Sequence, residues 1–406
     1  MMYLKIAWRN IWRNRRRTLI TMASIFFAVI LAIAMRSTIT GVFEKMIKDV
    51  VGFSSGFIQI HKQGYWKERS VDNTFEENDT IYKVLGKEKY VTGWSPRLEA
   101  FALASSGERT RGIMIMGVYP GKETAITHLV EKISAGRFIN DSDKSIMVAE
   151  GLANYLQLKV NDTIVLLGQG YHGSMAAGKY AIKGIIKLGS PELNKSMAWL
   201  PMACCRDFLS TGNRLSSISL LLTSETRMTQ VQKEIAQQVN TEKYEVMNWK
   251  EMIPDLDQFI QSDRSAHIIT VNILYLVITF GIFGTILMML NERMHEFGIL
   301  IAIGMKKKIL SFIVFIEIIL MAGVGTLTGL AAAFPLIFYF NRHPIVFTGS
   351  LGKAYERFGI EPVLPTSLAI SNFTSQAYIV FAIAVVLSVY PFYKINRIKV
   401  IKAINS

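Results

Sequence analysis

Only two of the 406 residues are cysteine, and they are neighbours, Cys204 and Cys205. An adjacent pair closes a disulfide only under strain, so a disulfide framework is excluded and the two thiols read as small, partly buried side chains. Histidine is also sparse. None of the six is spaced i, i+4 from another, and no Cys/His grouping has metal-site spacing. Gly173, Gly178 and Lys179 begin a phosphate-binding loop, but Tyr180 stands where a hydroxyl must hold Mg²⁺. Gly168, Gly170 and Gly173 spell G-x-G-x-x-G, yet a β-like segment follows instead of a helix, so both spellings read as one glycine-rich hairpin loop. No ATP site, cofactor, metal or catalytic residue is assigned to the chain. Asp72, Glu76, Glu77 and Asp79 read as a solvated acidic loop.

The most telling shortage is of charge. Residues 18–35, 266–290 and 371–393 contain no Asp, Glu, Lys or Arg, and 309–341 contains only Glu317. Eighteen helical residues span about 27 Å, close to the hydrocarbon thickness of a bilayer. Four such runs predict four transmembrane helices. The first is read as retained, because it is too long for a signal peptide and no clean cleavage site follows it.

The excess of positive charge, +14 overall, sits in short segments beside these runs. Residues 1–17 carry six Lys or Arg, 291–308 carry four against two acids, and 394–406 carry four. Residues 43–264 are nearly balanced, with 27 basic and 26 acidic side chains. The positive-inside rule then places both termini and the 291–308 loop in the cytoplasm. It also excludes nucleic acid as the reason for the charge. Glu317 is expected to pair with Lys306, Lys307 or Lys308 near the membrane boundary, the alternative being a proton or substrate contact. Asn272 and Pro335 suggest an inter-helix hydrogen bond and a kink.

The expected organisation is an interfacial amphipathic helix at 1–17, a first span with its stalk at 18–42, and an extracytoplasmic α+β domain at 43–264. A second span follows at 265–290, a cytoplasmic helix at 291–308, a third span at 309–342, an outer loop at 343–370, a fourth span at 371–393 and a tail at 394–406. In the first helix Leu4, Ala7, Trp8 and Ile11 share one face, with Lys5, Arg9, Arg13 and Arg16 opposite. The helical spacing continues from Ser37 to Val51, which predicts a stalk. Strands are expected at 57–61, 94–104, 112–118, 145–148, 163–167, 180–187, 216–222 and 244–248. Helices are expected at 123–133, 150–156, 202–209 and 225–240, in a domain with room for two lobes.

The 291–308 loop reads as a short amphipathic helix limited by Gly298 and Gly304. Six apolar residues in a cytoplasmic loop suit docking into a partner's groove. Glu292, Arg293, Glu296, Phe297, Gly298, Ile299, Leu300, Ala302, Ile303 and Gly304 match E-R-x-x-E-(I/F)-G-(I/V)-(L/M)-x-A-(I/L)-G. By this pattern the chain resembles the FtsX/MacB/LolC-LolE permeases, the membrane subunits of mechanotransmission ABC transporters. Ile301 departs from the family, which commonly has Arg or Lys there. Tyr390 and Pro391, then Val400, Ala403 and Ile404, resemble the family's closing motif in degraded form. Residues 148–153, Leu158 and 162–164 resemble an outer-domain motif of the Lol and MacB branches, with Asn161 where Gly is usual.

The resemblance implies a multi-pass protein of the bacterial inner membrane, non-catalytic itself. It would be driven by two copies of an ABC ATPase that hold ATP and Mg²⁺, and paired with a second permease as a homodimer or a LolC/LolE-like heterodimer. The ATPase contact would fall on Glu292, Arg293, Glu296, Phe297, Gly298, Leu300, Ala302 and Gly304. The nearest branch releases lipoproteins, which implies a lateral cavity lined by Phe26, Phe27, Val29 and Ile30, and a periplasmic carrier that could meet the 168–179 hairpin. The alternatives are MacB-like efflux of peptides or small toxic compounds, and FtsX-like signalling to a cell-wall hydrolase.

Overall fold

The computed structural model of the chain describes residues 2–13, 15–52, 55–350, 352 and 361–398. Val400, Ala403 and Ile404 lie outside them, as does the side chain of Leu4. The chain divides into two compact units. One comprises Met1–Glu44, Ile260–Val346 and Val363–Ser406, the other Lys45–Phe259 and Phe347–Pro362.

The first unit is helical. Among the described residues four stretches are long and apolar enough to cross a membrane: Thr18–Val50, Pro254–Glu292, Lys307–Arg342 and Ile370–Asn396. The helix Arg15–Val50 runs 36 residues without a break, and Pro254–Glu292 runs 39. At 1.5 Å per residue they are about 54 and 58 Å long, against about 30 Å of hydrocarbon. Each therefore continues well beyond what a bilayer core can cover. Ile25, Val29 and Ile33 of the first meet Ile282, Ile286, Val314, Ile318 and Val380 in one buried cluster.

Lipid is as apolar as leucine, so these helices are held by closeness of fit and by polar bonds. Gly325 and Gly329, one turn apart, supply the fit. A Cβ on either would come within 2.9 Å of a backbone carbonyl of the first long helix, that of Met22 or Phe26. The polar bonds fix the irregular segment before the fourth helix. Ser37 Oγ donates to the Ser367 carbonyl, and the Ser367 amide donates to the Ser37 carbonyl, both at 2.9 Å. Asn341 Nδ2 donates to the Thr366 carbonyl. Non-helical backbone among membrane helices survives only when it is satisfied in this way.

The second unit is built on strands β1 (Ile58–Lys62), β2 (Phe75–Glu76), β3 (Val91–Ser106), β4 (Arg109–Val118), β5 (Ile133–Gly136), β6 (Ser145–Ala149), β7 (Thr163–Gln169), β8 (Met175–Ile186), β9 (Met197–Pro201), β10 (Arg214–Leu215), β11 (Ser217–Leu222) and β12 (Tyr244–Asn248). Ten of them form one sheet in the order β12-β1-β11-β3-β4-β9-β6-β8-β5, while β7 pairs with both β3 and β8. The pairing β3-β4-β9-β6-β8-β7-β3 thus closes on itself, which removes free edges from the middle of the domain. The remaining two strands, β2 and β10, pair with each other as a separate antiparallel ladder.

The helix expected at 123–133 is shorter, Pro120–Thr127, because His128 takes a left-handed conformation (φ 53°) and ends it. One 3₁₀ turn, Leu129–Lys132, and strand β5 take up the rest. Strand β9 has no polar alternation to announce it: all five of its residues are buried, and it pairs parallel to β4. Asn161, at the family's usual glycine, has φ 74°, a conformation that asparagine tolerates better than most side chains.

Candidate functional site

The second long helix ends at Glu292, and Arg293, with φ −100° and ψ 3°, breaks the chain direction. A nine-residue helix, Met294–Ala302, follows, and Gly304 with φ +104° lets the chain reverse before the third long helix starts at Lys307. Gly298, expected to limit this loop helix, lies inside it and is buried. It does not terminate the helix. Only Gly304 does the terminating.

Burial divides the eight residues named from the sequence. Arg293, Phe297 and Gly298 are buried, Glu296 and Leu300 are half-buried, and Glu292, Ala302 and Gly304 are exposed. Ile299 and Ile303, which the family pattern includes but the eight omit, are exposed as well, Ile303 by 80 %. The helix is therefore anchored along one side while the other offers apolar side chains to the outside. Periodicity alone does not separate the two sides here, because both are apolar.

The anchor is an ionic network. Glu317, only 2 % exposed, accepts hydrogen bonds from Arg293 Nη1 on Oε2 and from Asn10 Nδ2 on Oε1, the latter at 2.7 Å. Arg293 also stacks over the Phe297 ring at 5.1 Å and reaches Glu296 Oε2 at 3.4 Å. Arg13 Nη2 donates to the same oxygen at 2.9 Å. Glu317 was expected to pair with the lysines at 306–308, but Lys307 Nζ is taken by the carbonyls of Asn396 and Ile398 at 3.1 and 2.8 Å. Asn10 and Arg13 lie on the N-terminal helix Met2–Arg13, far from the loop in sequence, so spacing gave no sign of them.

The cavity residues also divide. Val29 is fully buried against the Gly329 position, so it cannot line an open cavity, contrary to expectation. Phe27 is 65 % exposed and makes an edge contact with Phe26, while Phe26 and Ile30 are half-buried. The four residues face different ways around one helix. Asn272 is exposed on the second long helix, and the third helix continues through Pro335.

In the second unit the glycine-rich segment is the β7–β8 hairpin. Its tip is tied down: the His172 amide donates to Asp72 Oδ1 at 2.6 Å, and Arg214 lies over the Tyr171 ring at 4.8 Å. The acidic loop is not wholly solvated either. Glu77 accepts from Arg206 at 2.6 Å, Tyr82 at 2.7 Å and Tyr119 at 2.9 Å. Burial pushes the Glu77 carboxyl up, but these three hydrogen bonds outweigh it and hold the group below the ordinary carboxylate range. Residues 52–56 spell Gly-x-Ser-x-Gly, which marks a nucleophile only between a strand and a helix. Here the order is helix, then β1, and Ser54 lies outside the described residues.

Family comparison agrees with this architecture. The family of MacB-like periplasmic core domains matches residues 18–238, and the FtsX-like permease C-terminal family matches 268–400. The lipoprotein-releasing system transmembrane protein LolC of Xylella fastidiosa (strain Temecula1) is 22 % identical over 324 residues, 78 % of this chain and 78 % of its own. LolC of Neisseria meningitidis serogroup B is 19 % identical over 383 residues, 92 % and 90 % of the two chains. Among solved structures, the extracellular domain of the ABC-type transporter YknZ from Gram-positive bacteria aligns with TM-score 0.34 and 17 % identity, covering 47 % of this chain and 99 % of that one. The periplasmic region of MacB from Actinobacillus actinomycetemcomitans aligns with TM-score 0.36 and 13 % identity, covering 54 % and 98 %. With a family match over more than half its length and four spans, the large α/β domain lying between the first and second in sequence, the chain is a multi-pass inner-membrane protein that belongs to the FtsX/MacB/LolC family of ABC transporter permeases, on its LolC-like side.

Proposed function

We propose that this permease docks an ABC ATPase on its loop helix and turns ATP-driven closure of that partner into movement across the membrane, releasing lipoproteins from the inner membrane. The observation that carries the reading is the two-sided loop helix, with Arg293 and Phe297 buried beneath it and Ile299, Ala302 and Ile303 exposed above. Apolar side chains held rigidly in the open, between two spans, make half of an interface. A short helix presenting them suits a groove on a soluble partner. The basic segments 1–17, 291–308 and 394–406 favour the cytoplasmic side for this helix, where ATP is available.

In this reading ATP and Mg²⁺ belong to two copies of the ATPase, and a second permease, identical or related, completes the assembly. The long helices Arg15–Val50 and Pro254–Glu292 are suited to carry the motion, because neither has a break where displacement could be absorbed. Lipoprotein as cargo rests on the LolC relatives, whose name states that role for them. The 168–179 hairpin remains a candidate for a periplasmic carrier only if its tip can leave Asp72.

The test is depletion of the protein followed by fractionation of the membranes. Lipoproteins are expected to accumulate in the inner membrane. Unchanged sorting would end the lipoprotein reading. The docking reading is tested separately, by Glu292→Ala combined with Gly304→Pro in reconstituted complexes. That variant is expected to hydrolyse ATP without transport.

A further inference from the structure

We infer that Glu317 is a positioning residue that fastens the loop helix, the third span and the N-terminal helix into one moving body; the inference rests on the docking role proposed above. The bonds run from Asn10 to Glu317, on to Arg293, to Glu296 and back to Arg13. The path begins and ends on the N-terminal helix, with both ends one turn apart, and passes through each of the other two elements. A push on the loop helix therefore meets a ring of bonds and not a single tether.

Placement argues for a mechanical purpose. Glu317 lies about 15 Å along the helix from Lys307, within a stretch fit to span a membrane. A carboxylate at such a position is costly unless it is paired, and an apolar pair of similar volume usually serves stability as well or better. What directional ionic bonds add is a fixed relative position. Arg293 is also the residue at which the chain turns from the second long helix into the loop helix, so the ring grips the loop at its pivot. The Arg13–Glu296 part of the ring, at 64 % and 42 % side-chain exposure, contributes little by itself. The Asn10–Glu317–Arg293 part, with Glu317 and Arg293 buried and Asn10 half-buried, holds the joint.

The experiment uses the full chain with its ATPase in proteoliposomes and measures two rates, ATP hydrolysis and release of a purified triacylated lipoprotein. Glu317→Gln is expected to keep at least half of the hydrolysis while release per ATP falls tenfold or more. Arg293→Met with Glu317→Leu keeps the volume and removes both charges. It is expected to assemble and to be uncoupled to the same degree, and full coupling in this double variant would overturn the inference.

A second arm tests whether the helices move together. Tyr3 and Phe312 make an edge-to-face contact at 6.2 Å between the N-terminal helix and the third span. Tyr3→Cys with Phe312→Cys, joined by a short bis-maleimide, is expected to keep at least half of the release rate of the parent chain treated alike. Loss of release on cross-linking would mean that the two helices must part, and would overturn the single-body claim. Failure of the docking role itself looks different: the wild-type chain then gives no ATP-dependent release, and both readings fall.

Discussion

His61 shows how a single residue of the second unit responds to its surroundings. Its ring is fully buried on β1, tilted against Tyr65 at 5.6 Å and stacked with Trp66 at 6.0 Å. Burial lowers its pKa below the ordinary value, more than the Lys62 carbonyl and the Glu245 carboxylate, 3.6 Å away, can raise it. The folded chain therefore keeps the imidazole neutral at pH values where the unfolded chain binds a proton. Stability then falls as pH drops through about 6.5, the unfolded value. Glu77 has the opposite chemistry and a lower window. Its depressed pKa contributes stability that is present above the unfolded carboxylate value and is lost as pH falls through the folded one. The expected outcome is that His61→Phe reduces the fall in Tm between pH 7 and pH 5 and leaves the loss below pH 4.5 unchanged. Thermal melts of the detergent-solubilised chain at a series of pH values check it, and an unaltered slope above pH 5 would show that His61 is not the group that titrates.

The loop helix Met294–Ala302 is the element on which the docking proposal turns, and its two sides call for different substitutions. Ile303→Glu changes an exposed side chain and leaves the buried anchor intact. It is expected to weaken co-purification of the ATPase at least tenfold with the Tm of the permease within a degree or two. Phe297→Ala removes a fully buried ring and is expected to lower stability by about 3–5 kcal/mol, visible as a reduced Tm before any binding is measured. Equal effects of both substitutions on Tm would mean that Ile303 is packed and the helix has no free side. The sequence made the helix legible, because charges at one end of an apolar body and Gly304 at the other leave few other readings. It did not make the two sides legible: with Phe297, Ile299, Leu300, Ile301 and Ile303 all apolar, which of them face inward depends on the third span and the N-terminal helix. Strand β9 was hidden for the same reason, since a strand buried on both faces loses its alternation. The long spans and alternating strands such as β7 were readable because one physical pattern dominates each, whereas the first five residues of β8, Met175 to Lys179, were read as part of the glycine-rich loop.

For the whole molecule the governing quantity is where charge lies relative to the four spans. Six basic residues in 1–17, four in 291–308 and four in 394–406 flank spans that hold almost none, while 43–264 is close to neutral. Moving such short basic segments outward across an energised membrane is unfavourable, and nearly balanced long domains translocate with little regard to charge. With an even number of spans the two termini share a side, and the loop at 291–308 joins them there. Three segments voting the same way make the expected topology robust to loss of any one of them. A fluorescent protein fused after Ser406 should therefore fluoresce and alkaline phosphatase at that point should be inactive, whereas phosphatase inserted after Asn240 should be active. Neutralising Arg13, Arg15 and Arg16 together is expected to leave the C-terminal fusion on the same side, because the other two segments remain. Active phosphatase after Ser406 in the unaltered chain would place the loop helix away from ATP and remove the physical basis for docking an ATPase there.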